Sequence, residues 1–482
     1  MGLLTINANA ADFYVNSSGQ AGSYPTLAGA LAAANNGDRI LVSNIITLTE
    51  TDTINKSVTI ISTAPGDQFE LTGDLYVEAI AGLEIRIIGL KQTGDIYCLS
   101  GTASGINGCN LYIIDSEISG DVNCDISGLV LNLLYSNLYD NLVTFNQGQI
   151  IGNEIGAFYI APGDSINYND TVFIIANKIT GGSVSQQYSL TFQCDYQTTG
   201  SCNGCVNHNT FTPLCLNLIN TSDHFFFIAN NFLLGNTYSG RNSLLFIASS
   251  NSSSNGQNSI LNNTFINIRS SQGWNSSSSG QQNSIGEVIT FYYSNDHSNT
   301  ILVNNLLGGA GAGVSSGNWN ALKSHYYLGT GKSNNEFFTF GMLIDSNYTP
   351  VFDYNITGGA GYSSTYDRYS FGASPSTSSS FSGEGVFDIS QNYILQSQAS
   401  INIYKNSGKP YSGSASINSG KNSIEYYDID MTRNDIGTYG GPYSWDNYWN
   451  TASGSARIYN LNLPFEILSG QPNVKADAVH QK

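Results

Sequence analysis

The sequence predicts an all-β solenoid of stacked coils, on three observations. A short apolar run closed by Asn or Ser recurs along the chain: "IIDSEI", "LLYSNL", "IIGNEI", "FIIANKITGG", "VNHNTF", "FFFIANNFLLGN", "SILNNTFINI" and "TILVNNLLGG". The runs are rich in Val, Ile, Leu and Phe, which suit a pleated buried strand, and are too short for an amphipathic helix. Asn, Ser, Thr and Gly stand where charge is usual: charged residues are 11% of the 482, and there are 51 Gly. These are residues of turns and strand ends.

Taking the residue two before each closing apolar as anchor gives Ser116, Ser136, Asn153, Asn177, Asn209, Asn230, Asn263 and Asn304. Their spacings are 20, 17, 24, 32, 21, 33 and 41 residues. The short values define one unit near 20 and the long ones that unit plus an insertion, the mark of a solenoid. A weaker copy, "VFDYNITGG", sits at 351–359. In each unit the apolar run makes a wall. The polar residue turns the chain, since Asn tolerates the left-handed region and its amide bonds nearby backbone. Coils about 4.8 Å apart place each Asn over the next and allow an amide ladder.

Apolar residues at 40% and aromatics at 12% supply a core, so the chain is not disordered. No run approaches the roughly 18 apolar residues of a membrane span. Seventeen basic against 35 acidic residues give a net charge of −18. This argues against a nucleic-acid partner, and against a polyanionic ligand unless a metal cation bridges it. Ala8-Asn9-Ala10 has the A-x-A form of a signal-peptidase site. Residues 1–10 are therefore read as the remnant of a signal peptide, with the mature chain starting near Ala11 and the protein exported to the bacterial exterior or cell surface.

The N-terminal block "DFYVNSSGQAGSYPTLAGALAAANNGDRILVSNIITLTETDTINKSVTIIS", with the Asn-closed repeat, resembles the right-handed parallel β-helix proteins of the pectin-lyase-like superfamily. The resemblance covers roughly residues 12–400 and implies a helix, "TLAGALAAA", capping the solenoid. "GDRILV" then opens the first coil and "INKSVTII" lies in the second. In physical terms Leu27, Leu31 and Ala32 form an apolar stripe, Thr26 is the N-cap and Asn35-Asn36-Gly37 ends the helix. The β-helix is expected over 11–434, with 401–434 its last coils. A C-terminal cap or β appendage follows over 435–482. "RNDIGTYGGPYSWDNYW" in it resembles a segment that closes many secreted bacterial β-helix proteins.

Insertions fall at about 236–258, 269–299, 307–350 and 357–385. They are Ser/Gly-rich and carry Trp274, Trp319, Tyr326, Tyr327, Tyr362, Tyr366 and Tyr369. Solenoid insertions emerge on one face and carry function, and aromatic faces stack on sugar rings. These seven are the candidate carbohydrate-binding residues, and a polysaccharide or cell-surface glycan the expected partner. The plainer reading is that the rings pin loops to the coil wall.

Polygalacturonase-type β-helices resemble one another in Asn-Thr-Asp, Asp-Asp, Gly-His-Gly and Arg-x-Lys motifs, and this chain carries none of them. The paired acids Asp115 with Glu117 and Asp345 with Asp353 read as solvated surface groups. A lyase needs a base beside a neutralised carboxylate, for which Lys323 with His325, and Asp367 with Arg368, are the candidates. The expectation is a binder without catalysis; the alternatives are a lyase or hydrolase of unrecognised subtype, and an adhesin or structural surface protein.

No cofactor is expected beyond a structural calcium at Asp428, Asp430 and Asp435 in "YYDIDMTRND", where a strand would put Asp428 and Asp430 on one face. Of seven Cys, Cys98, Cys109 and Cys124 form one cluster and Cys194, Cys202, Cys205 and Cys215 another. Cys194 and Cys215 are one coil apart and are expected to pair, with Cys202–Cys205 a loop bridge. Zinc at Cys202, Cys205 and His208 is the competing reading.

Overall fold

The computed structural model describes residues 10–43, 45–47, 52–64, 67–102, 108–145, 147–160, 171–180, 212–219, 225–235, 242–248, 258–269, 286–292, 300–311, 342–343, 351–353, 356–363, 368–372, 401–404, 407–448, 456–462 and 475–480. They fall into two units, 1–138 with 449–482, and 139–448. The fold is an all-β parallel β-helix.

In the N-terminal unit each coil passes through three short walls. The first wall stacks Asp12–Asn16, Arg39–Ser43, Thr59–Ser62, Glu84–Ile88, Cys109–Ile114 and Leu129–Leu134, all parallel and in register. Ile45–Thr47, Phe69–Thr72, Leu90–Gln92 and Glu117–Ile118 stack as the second wall. Thr53–Ile54, Leu75–Ala79, Ile96–Ser100 and Val122–Cys124 make the third. Burial alternates along the strands, so Ile40, Ile60, Ile85, Leu111 and Leu131 are all fully buried inside the first wall. Each such side chain contributes about 1.5–3 kcal/mol.

The coil interior is closed by the helix α1, Leu27–Ala33. Thr26 is its N-cap, its hydroxyl accepting the Gly29 N–H at 3.2 Å. The buried stripe is Leu27, Ala30 and Leu31; Ala32, expected in it, is exposed because three positions on from Gly29 it lies on the solvent side. Nor do Asn35 to Gly37 end the helix. It stops at Ala33, with Ala34 extended, and the second coil caps both ends. Asp52 accepts the Ala28 N–H at 2.6 Å, and Lys56 Nζ donates to the carbonyls of Leu31, Ala32 and Ala34 at 2.7, 3.2 and 2.7 Å. Opposite charges thus meet opposite ends of the helix dipole. The Asp38 carboxylate accepts the Ala11 N–H at 2.8 Å and the Asn35 N–H at 2.7 Å, and the first of these leads in holding its pKa below the usual range.

The bend from the first to the second wall is a left-handed residue, then a buried one, Leu90 after Gly89 and a polar side chain in the coils that follow. In this unit the left-handed residues are Gly89, Asp115 and Tyr135, with φ of 72°, 51° and 52°. Ser116 and Ser136 follow, each hydroxyl donating to a carbonyl of its own coil and accepting an N–H from the coil before.

In the second unit the first wall is Gly148–Ile151, Thr171–Ile175, Phe225–Ala229, Asn258–Leu261, Thr300–Val303 and Val351–Asp353, again parallel. Here the buried bend residues are Asn153, Asn177, Asn231, Asn263 and Asn305. Each Nδ2 donates to the next Oδ1, at 2.9, 2.9, 3.0 and 3.0 Å down the column. The expected amide ladder is present, with a correction of register. Asn230 and Asn304 are not its rungs; they are the left-handed residues, at φ 56° and 59°, and Asn231 and Asn305 carry the ladder. The slip arises because Phe232 and Leu306 occupy a position that faces outward in earlier coils, where Lys178 stands.

What covers Phe232 and Leu306 is the segment 407–448. Residues 401–434 are expected as coils; among the described residues there, only Ile401–Tyr404 is a strand, pairing antiparallel with Arg368–Gly372. The rest is turns with a 3-10 turn at Ile424–Tyr426 and a short helix at Trp445–Tyr448, lying as a strap along the asparagine bend. Asn230 Nδ2 donates to the carbonyls of Thr438 and Gly440, at 2.9 and 2.5 Å, and Asn262 Nδ2 to Asn434 Oδ1 and the Asp435 carbonyl, at 2.8 and 2.9 Å. Asn304 Oδ1 accepts the Lys421 N–H at 2.7 Å. Two close approaches need glycine. Gly408 and Gly437 have φ of +71° and +103°, and a Cβ there would lie 2.9 Å from the Phe232 ring and 2.8 Å from Thr264 Oγ1. The described tail, Ala456–Asn462 and Lys475–His480, is an antiparallel hairpin.

Candidate functional site

The outer face of the third wall in the N-terminal unit gathers carboxylates and tyrosines in register. A tripeptide recurs where the chain enters it: Thr72-Gly73-Asp74, Thr93-Gly94-Asp95 and Ser119-Gly120-Asp121. The glycine is dictated by packing. A Cβ at Gly94 would lie 2.4 Å from the Gly73 carbonyl oxygen, and one at Gly120 2.3 Å from that of Gly94. The aspartates stack coil on coil, Asp74 Oδ1 accepting the Asp95 N–H at 3.0 Å and Asp95 Oδ1 the Asp121 N–H at 2.8 Å.

Beyond this bend the register aligns Thr53, Tyr76, Tyr97 and Asn123 in one outward column. The Tyr76 and Tyr97 rings are stacked, with centroids 5.6 Å apart and planes at 19°. Tyr97 donates its hydroxyl to Asp95 Oδ2 at 2.7 Å, and this bond, more than burial, pushes the phenol up to about 12. Glu78 and Leu99, the latter 41% exposed, form a second outward pair. Beneath the face Cys98 and Cys124 are joined by a disulfide between adjacent coils, with Cα atoms 4.9 Å apart. Cys109 is buried and free, burial pushing its thiol up to about 11. A cross-linked wall with fixed rings and oriented carboxylates can hold a flat, hydroxyl- or amine-bearing ligand without reorganising.

The basic residues of residues 1–138 are Arg39, Lys56, Arg86 and Lys91. Arg39 pairs with Asp12 at 2.7 Å, Arg86 with Glu84 at 2.6 Å and Lys91 with Glu70 at 3.1 Å, on the first and second walls, while Lys56 caps α1. Residues 92–177 hold nine Asp or Glu and no Lys, Arg or His. The third wall is thus an acidic, aromatic face.

Of the candidates taken from sequence, Tyr362 and Tyr369 are register partners across the antiparallel pair Ile356–Ser363 and Arg368–Gly372, and Arg368 lies opposite Ser363 and Tyr404. Trp274, Trp319, Tyr326, Tyr327, Tyr366, Lys323, His325 and Asp367 lie outside the described residues, as do Cys194, Cys202 and Cys205; Cys215 lies in the strand Thr212–Ile219. Three of the insertions enclose a strand, Asn242–Ala248, Gly286–Tyr292 and Met342–Leu343, and these three stack in parallel on one another.

Asp428, Asp430 and Asp435 lie in turns, not in a strand, since Met431 takes φ 65°. Each caps the strap. Asp428 Oδ1 accepts the Gly441 N–H at 2.5 Å, Asp430 Oδ1 the Thr432 hydroxyl at 2.6 Å, and Asp435 Oδ1 the Asn418 N–H at 2.7 Å. Burial raises Asp428, and raises Asp435 to about 6. Among the described residues no group of three His, Cys, Asp or Glu side chains is placed to hold a metal ion, and no helix is long and apolar enough to cross a membrane.

The Thr/Ser-Gly-Asp repeat is present in the sequence at spacings of 21 and 26 residues, but it lies outside the Asn-closed apolar runs that mark the coils. No family model, curated protein or solved structure matches the chain.

Proposed function

We propose that this is an exported β-helix protein of pectin-lyase-like type that binds extracellular polysaccharide without catalysis. The observation that carries the reading is the stacked Tyr76–Tyr97 pair, on a stiff wall among carboxylate acceptors. Aromatic faces bury the C–H surface of sugar rings, while Asp and Asn take the hydroxyls. The aromatic-rich insertions support it further, because Trp274 and Trp319 fall in the segments that lead into Gly286–Tyr292 and Met342–Leu343, two strands of one parallel stack. Export is supported by the Cys98–Cys124 disulfide, which persists in oxidising compartments, and by the A-x-A site.

The test is retention of the full chain on a panel of insoluble and immobilised plant, algal and microbial polysaccharides, with unsaturated products and new reducing ends assayed in parallel. Binding with neither product is expected. Product formation lost in Lys323→Ala or Arg368→Ala would replace the reading with a lyase or hydrolase. A panel with no retention would leave an adhesive or structural surface protein.

A further inference from the structure

Resting on that reading, we propose that the third wall of the N-terminal unit takes an amine-bearing polysaccharide, a glucosamine-type polymer, laid along the stack of coils. Its sugar rings lie on the Tyr76 and Tyr97 faces and its ammonium groups meet Asp74 and Asp95. The class follows from charge. The face presents Asp74, Glu78 and Asp95, while the four basic side chains of residues 1–138 are engaged on the other two walls or at the helix cap. A uronate polymer would be repelled. A neutral glycan would stack but leave the carboxylate charge uncompensated. An amine supplies that compensation through charge-assisted hydrogen bonds to Asp74 and Asp95.

The architecture favours a polysaccharide over a basic peptide. A peptide that binds a sheet usually adds a strand to an open edge. Here Ile96 and Tyr97 are already paired on both sides, with Leu75 and Tyr76 and with Val122 and Asn123, so at the rings no strand edge is open. The outward side chains repeat once per coil, at a rise of about 4.8 Å, a spacing comparable to the advance of a sugar chain per residue. The Asp74-to-Asp95 and Asp95-to-Asp121 hydrogen bonds use one oxygen of each carboxylate to hold the column, and Asp95 spends its second on Tyr97. The aspartates are thereby pre-oriented beside the rings.

Calorimetric titration of the full chain would compare a glucosamine hexamer, its N-acetylated counterpart, oligogalacturonate and polylysine at low and high salt. The glucosamine hexamer should bind at least about tenfold more tightly than the acetylated one and weaken severalfold at high salt, as screening of exposed charges requires. Asp95→Asn retains the acceptor for the Asp121 N–H and should cost about tenfold for the amine polymer only, the scale of a charge-assisted contact. Tyr97→Ala should abolish binding while Tyr97→Phe, which keeps the ring, retains most of it. Equal binding of the acetylated hexamer, or polylysine binding as tight and as sensitive to Asp95→Asn, would overturn the assignment of an amine polysaccharide. Glycan binding that survives Tyr97→Ala, with unfolding unchanged, would move the site off this wall and leave the proposed function standing. No binding of any glycan would remove both.

Discussion

The bend after the first wall is serine in the N-terminal unit and asparagine in the second, and the two behave differently. A serine hydroxyl satisfies one carbonyl and one N–H, as Ser116 does for Ile114 and Leu90, and there its reach ends. An asparagine offers two donors and an acceptor with two lone pairs. Asn263 therefore bonds Asn305 Oδ1 and the carbonyls of Ile228 and Leu261, while its own Oδ1 accepts from the backbone and amide of Asn231. Both bends bridge coils, the serine only through a backbone N–H of its neighbour, the asparagine also from side chain to side chain. The outward position differs as well. It is Glu117 and Asn137 at the serine bends, as it is Lys91 in the coil before them, and buried Phe232, Thr264 and Leu306 where the strap covers the asparagine bend. A bare corner carries polar residues; a covered one takes the apolar Phe232 and Leu306, and Thr264 with its hydroxyl accepting the Thr438 N–H.

The sharpest test of this contrast is Asn263→Leu. It strands several buried groups at once, and each unmet donor or acceptor costs about 1–3 kcal/mol, so a loss of roughly 3–5 kcal/mol is expected in denaturant unfolding. A loss below about 1 kcal/mol would end the claim that the asparagine column binds coils together. Next in size is Phe232→Lys, which restores the residue type of an uncovered bend beneath Gly408. It should release the strap, at roughly 2–4 kcal/mol as for other large core truncations, read as new proteolytic cleavage within 407–448 while the coils stay intact. Ser116→Ala should cost only about 1–2 kcal/mol, one lost acceptor for the Leu90 N–H; equality with Asn263→Leu would erase the distinction between the bends.

The smallest expected effect is on pH, and it has opposite signs at two places. Asp435 is raised to about 6 by burial, so between the ordinary carboxyl value and 6 the folded strap binds more protons than the unfolded chain. Its contribution is full at low pH and is lost as pH rises through 6. Asp38 is depressed, so its contribution is present at neutral pH and lost as pH falls below the ordinary carboxyl range. Hydrogen exchange should show the strap better protected at pH 5 than at pH 7.5, and Asp435→Asn should flatten that dependence.

The coil repeat was legible because its signal is dense. Apolar alternation, a turn residue and a return to the core recur at near-constant spacing, and only a stacked solenoid buries them all. The cap helix was legible through Thr26 and Leu27, but not its partners Asp52 and Lys56, since a contact between separate elements leaves no local pattern. The strap up to residue 434 reads as coils because "SINSGKNSIEYYDID" has the composition of neighbouring loops, while 435–448 reads as part of a cap. Its trace lay elsewhere, in Phe232 and Leu306 standing where a solvated bend puts Lys or Glu. The aspartate column on the third wall was missed for a related reason. Its residues are polar and spaced by whole coils, so a search keyed to buried runs steps over them. The seven aromatic candidates were chosen for composition, and only Tyr362 and Tyr369 among them fall in described strands, as register partners.

The side-chain contacts that seal the asparagine bend join residues 117 to 210 positions apart. As the chain leaves the ribosome, winding can proceed coil by coil between near neighbours, but Asn230, Asn262 and Asn304 stay wet until residues 418–441 emerge. Maturation of this protein therefore ends with a late, long-range docking step, and a truncated chain that lacked those residues would present a row of amides and an uncovered phenylalanine to any sticky neighbour.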